Sequence, residues 1–139
     1  MGRSIGAVTL GFLYAVAGIW LTQMILWFSI PEEPGAEDTE AVPELRLALT
    51  VFLTFASSFI AGFVTAHVAR QVELVHGLAL GALLVAVLGV TTMVVQTEPT
   101  PAWYQLALPA VALPGTLLGA TLRARVPRPP PPAPPKPPG

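Results

Sequence analysis

Apolar and polar positions in this chain fall into long blocks rather than the short alternations of a water-soluble fold. Four mostly apolar stretches stand out, at 5–30, 47–68, 77–95 and 102–122. Each is close to the roughly 20 residues that carry a helix across a bilayer core. Hydrocarbon offers backbone groups no partner, so each block predicts an α-helix. The expected architecture is all-α, an integral membrane bundle of four transmembrane helices within residues 1–126, followed by a disordered proline-rich C-terminal tail at 127–139. The first block holds no charged residue. It is also far longer than the roughly 7–15-residue apolar core of a signal peptide, so it is expected to stay as an anchor.

Inside the blocks, small residues recur at helical spacing. Thr54, Ser58, Gly62 and Ala66 are four apart, as are Ser57, Ala61, Thr65 and Ala69. The third block carries Gly77, Gly81 and Gly89, the fourth Gly115 and Gly119, and the first Gly11 and Gly18. Lipid tails are as apolar as leucine, so close backbone approach, not burial, brings membrane helices together. Ser58, Gly62, Ala66, Gly77, Gly81, Gly115 and Gly119 are therefore the expected helix-packing residues, with the second and third helices meeting through Gly62 and Gly81. The same faces suit a homo- or hetero-oligomer as the alternative use. Pro109 and Pro114 remove backbone donors and predict a kink or local break between 106 and 115.

Composition agrees with lipid as the solvent. Of 139 residues, 53% are hydrophobic and 11% charged, against about 25% charged in soluble domains. A net charge of −1 gives no argument for nucleic acid. The chain has no cysteine, which excludes disulfides, thiolate metal sites and cysteine catalysis.

Charge placement adds a direction. With both termini on one side, that side holds Arg3, Arg70, Arg123, Arg125, Arg128 and Lys136, and the other holds Arg46 alone. The excess of Lys and Arg marks the cytoplasmic side, so both termini are expected in the cytoplasm of a multi-pass cell-membrane protein. Glu32, Glu33, Glu37, Asp38, Glu40, Glu44 and Glu98 then lie outside. Trp27 with Phe28, and Trp103 with Tyr104, fall at the outer interface, where amphipathic rings prefer to lie.

The loop at 31–44 holds six carboxylates but lacks the acidic spacing and turning glycine of a calcium loop. It reads as a solvated acidic loop. The segment 126–139 has nine prolines in 14 residues. It favours extended polyproline II and could serve a docking partner, although a spacer explains it as well. Arg123, Arg125 and Arg128 are expected to meet anionic headgroups.

Candidate chemistry is sparse. His67, Arg70 and His76 lie near one turn and could form a polar cluster, with Glu73 the nearest third group. The simpler reading is interfacial side chains meeting headgroups and turn carbonyls. Gln23 is the most polar residue well inside a block and is expected to hydrogen-bond to a neighbouring helix. No Asp, Glu, Lys or Arg lies mid-span, which argues against ion-coupled transport. No catalytic constellation, cofactor motif or closed metal site is apparent, so an enzyme is not expected.

The stretches AGFVTAHVAR and HGLALGALL, within about 53–88, resemble small uncharacterised bacterial four-span membrane proteins of the YrzE-like type. The likeness implies a four-span membrane protein and supplies no catalytic residues. The leading expectation is a non-catalytic structural or assembly subunit in the lipid bilayer. The alternatives are a small transporter or channel component acting as an oligomer, and a membrane adaptor using its proline-rich tail.

Overall fold

The computed structural model describes residues 2–29, 44–69, 72–94 and 100–127. They form four helices: α1 (Gly2–Ser29), α2 (Glu44–Ala69), α3 (Glu73–Val94) and α4 (Ala102–Arg125). All four are long and apolar enough to cross a membrane. All four extend past the apolar blocks into charged residues, α1 taking in Arg3. Glu44 and Glu73 sit in the first turns of α2 and α3, and Arg123 and Arg125 in the last turn of α4. Those signs suit the helix dipole, which favours acids at the start and bases at the end. The acidic loop at 31–43, Arg70, Glu98, Arg128 and Lys136 lie outside the described residues.

Neighbours run antiparallel in sequence order. Gly11 and Gly18 of α1 abut Thr65 and Ser57 of α2, so residue numbers rise on one helix as they fall on the other. Gly77 and Gly81 of α3 oppose Ala120 and Thr116 of α4 in the same sense. Gly115 and Gly119 of α4 oppose Phe55 and Phe59 of α2 in rising order, so those two are parallel. The bundle is up-down-up-down. One end gathers Ser29, Glu44, Val94 and Ala102, and the other gathers Gly2, Ala69, Glu73 and Arg125. Helix α2 packs on all three others, whereas α1 and α4 are not neighbours among the described residues.

Side-chain size is sorted opposite to the habit of a soluble domain. The interior is built largely from Ala7, Ala15, Ala61, Ala66, Ala112, Ala120, Thr54, Ser58, Thr65 and Thr116, with Leu80 and Leu84 as its largest fully buried side chains. Trp20, Phe28, Phe52, Met93 and Leu106 face outward, with Met93 84% exposed. Small side chains inside let backbones approach, while large apolar ones outside suit lipid.

Two expectations need correction. Gly62 and Gly81 do not meet each other; both are turned to Thr116 of α4, which lies between α2 and α3. A repeat of small residues defines a face but not the helix that fills it. Of the kink or local break expected at Pro109 and Pro114, the local break does not occur, because α4 stays helical from Ala102 to Arg125. Each proline deprives only the carbonyl four residues earlier of its donor, and membrane helices tolerate such a loss.

Candidate functional site

The interior seam comes first. A side-chain carbon on Gly62 would collide with the Thr116 carbonyl, and one on Gly119 with the Phe59 carbonyl. One on Gly115 would stand 3.0 Å from both the Phe55 carbonyl oxygen and Ser58 Cβ. Along α2 and α4, then, glycine Cα–H groups face carbonyl oxygens turn after turn, a recurring helix-interface contact. On α3, a carbon at Gly77 would come 2.5 Å from Ala120 Cβ, and at Gly81 the same distance from Thr116 Oγ1. Ala66 is fully buried beside this seam.

Hydroxyls punctuate the same interior. Thr22, Thr50, Thr65 and Thr116 donate to carbonyls of their own helices, Gly18, Arg46, Ala61 and Leu113, at 2.8–2.9 Å. Thr54 and Ser58 differ. They are 1% and 0% exposed, and their hydroxyl oxygens have no hydrogen-bond partner. Thr50, Thr54 and Ser58 lie on one face of α2, because positions four apart stack along a helix.

The His67–Arg70–His76 cluster does not assemble as expected. His67 Nδ1 accepts a 3.0 Å hydrogen bond from Arg123 Nε, which ties the end of α2 to the end of α4. His76 Nδ1 lies 3.0 Å from the Val72 carbonyl of its own first turn, and Arg70 is outside the described residues. Val72 itself takes a left-handed backbone, φ 51, unusual for a β-branched residue. Its carbonyl also accepts the Val75 and His76 amides, at 3.0 and 3.3 Å.

Sequence reasoning missed a polar group at the opposite end. The Tyr104 phenol of α4 faces Thr50 of α2 and Gln23 of α1, with Arg46 close by. Gln23 thus lies near α4, although the α1 and α4 backbones do not pack on each other. The Arg46 guanidinium lies over the Trp27 ring, 5.3 Å from its centroid. Tyr104 packs with Leu47 and Leu108 below and meets Trp103 edge-on, ring centres 5.9 Å apart. The one available signal was that Arg46 is the lone cation predicted for that side.

Among the described residues no three His, Asp or Glu side chains gather as a metal site. The inside-out sorting and four spanning helices define a multi-pass helical membrane protein. Residues 39–122 match the family described as "Protein of unknown function (DUF3792)", and the chain belongs to that family. No curated protein and no solved structure matches it.

Proposed function

We propose that this protein is a non-catalytic assembly subunit of the cytoplasmic membrane, with both termini in the cytoplasm. The direction rests on Arg123 and Arg125 at one end of the bundle against Arg46 at the other and on the basic excess of cytoplasmic segments. The likeness of 53–88 to the YrzE-like group supports the same kind of protein. One observation carries the role. The packing glycines Gly62, Gly77, Gly81, Gly115 and Gly119 are all occupied by other helices of this same chain. What remains for a partner is the outer surface of large apolar side chains, Trp20, Phe28 and Met93 among them. A photo-crosslinking amino acid at Phe28 or Met93, activated in intact membranes, is expected to capture a different membrane protein. Adducts with lipid alone would remove the assembly role. Deleting 127–139 and repeating the capture tests the tail as an adaptor, since an unchanged partner ends that reading.

A second reading, a transport component working as an oligomer, is favoured by the buried, unpartnered hydroxyls of Thr54 and Ser58. It requires the purified chain to form a ring of copies and to pass polar solutes in proteoliposomes. Loss of that flux in Thr54→Val would support it, and a monomer without flux would dismiss it.

A further inference from the structure

At the end where α1 stops and α2 and α4 begin, Arg46 is held on the face of Trp27. Among the described residues its guanidinium has no hydrogen-bond acceptor and no carboxylate partner. Two helix N-termini converge there, because Leu47 in the first turns of α2 packs on Tyr104 in the first turn of α4. The α4 start has no side-chain cap. Helix starts present unpaired amides and partial positive charge, which favour anions. Glu44, the carboxylate nearest in sequence, is two positions from Arg46 and so points elsewhere around the helix. The flanking outward side chains are apolar, with Phe28, Leu45 and Phe52 between 64% and 77% exposed.

We propose that Arg46, seated on Trp27 between these helix starts, binds the phosphodiester of a glycerophospholipid headgroup. A planar guanidinium suits a phosphate held by two oxygens, and Trp27 and Trp103 belong at headgroup depth. The occupant is a lipid rather than a free ion, because a free anion is held by the guanidinium alone, whereas a lipid is also held by its chains. The apolar exterior beside the site receives those chains. This site stands apart from the assembly reading and does not depend on which side is cytoplasmic.

The test uses the full chain, delipidated in a non-ionic detergent and followed by native mass spectrometry. The probes are dioleoyl phosphatidylglycerol, dioleoylglycerol, which lacks phosphate, and inorganic phosphate. Wild type is expected to retain one phosphatidylglycerol, Arg46→Gln to retain it about tenfold more weakly, equivalent to about 1.4 kcal/mol, and Arg46→Lys to fall between. Dioleoylglycerol is expected to bind poorly to all three, and equimolar inorganic phosphate to leave the lipid in place. Equal retention by wild type and Arg46→Gln overturns the proposal. So does dioleoylglycerol binding as well as phosphatidylglycerol, or displacement by inorganic phosphate. If Arg46→Gln does not fold, Trp27→Leu keeps the charge and removes its seat; undiminished retention in that variant overturns the proposal equally.

Discussion

A single methyl group at position 119 is expected to weaken the bundle, whereas the same methyl at position 89 is not. In Gly119→Ala the new carbon collides with the Phe59 carbonyl oxygen and stands 2.8 Å from the Phe63 nitrogen. Both obstacles are backbone, so no rotamer change clears them. Carbon and carbonyl oxygen rest at about 3.3–3.6 Å, so α2 and α4 must part by on the order of 1 Å. That movement also loosens the contacts of Gly62 with Thr116 and Gly115 with Ser58, which share the interface. Overpacking of this kind destabilises by about 1–3 kcal/mol. Alanine returns roughly 0.5–1 kcal/mol through its better helix propensity, leaving a net loss centred on about 1 kcal/mol and at most about 2.5 kcal/mol. Gly89 has nothing within 4 Å of its added carbon, so Gly89→Ala keeps only the propensity gain. Unfolding in mixed non-ionic detergent and SDS micelles, followed by circular dichroism, measures both variants against wild type. If Gly119→Ala unfolds at the wild-type midpoint, α2 and α4 do not touch as described.

Two further perturbations probe the other end of the bundle. Val72→Gly relieves a left-handed backbone at a residue 66% exposed; a left-handed L-residue is disfavoured by roughly 1–2 kcal/mol. After glycine's greater unfolded-state freedom is set against this, the same assay should show a gain of about 0.5–1 kcal/mol, and a loss would contradict the strained turn. For His67 and Arg123, a double-mutant cycle through alanine should give a coupling below about 1 kcal/mol because the pair is exposed. A larger coupling would mean that the pair is shielded from water.

The helices were legible because membrane-length apolar blocks leave the backbone no alternative. The kinds of packing residue were legible for a related reason: small side chains four apart have little use on a helix other than close approach. Their partners were not. Gly81 looked like the natural complement of Gly62, but the turn between α2 and α3 fixes only that these helices are consecutive. The shared neighbour is Thr116, some 35 residues beyond Gly81. The cluster of Gln23, Thr50 and Tyr104 was illegible for the same reason. Its members come from three helices at no fixed spacing, and each alone reads as an ordinary polar residue near a membrane surface. Histidines close in sequence invited a shared site, yet the bond that forms is between His67 and Arg123, which only the parallel packing of α2 and α4 brings together.

That packing implies an inverted pattern of mutational tolerance. In a soluble domain, large buried side chains carry the stability and the surface is permissive. Here Met93, Phe28 and Leu106 point outward, and another apolar side chain meets lipid there equally well. The sensitive positions are those with the least side chain: Gly62, Gly115 and Gly119, where an added carbon meets backbone, and Gly77, where it meets the Ala120 side chain. Buried Thr54 and Ser58 are the interior positions whose polarity the packing does not use, since neither hydroxyl is bonded. An unbonded buried hydroxyl is unfavourable relative to an apolar group of the same shape, so stability alone would favour Val at 54 and Ala at 58.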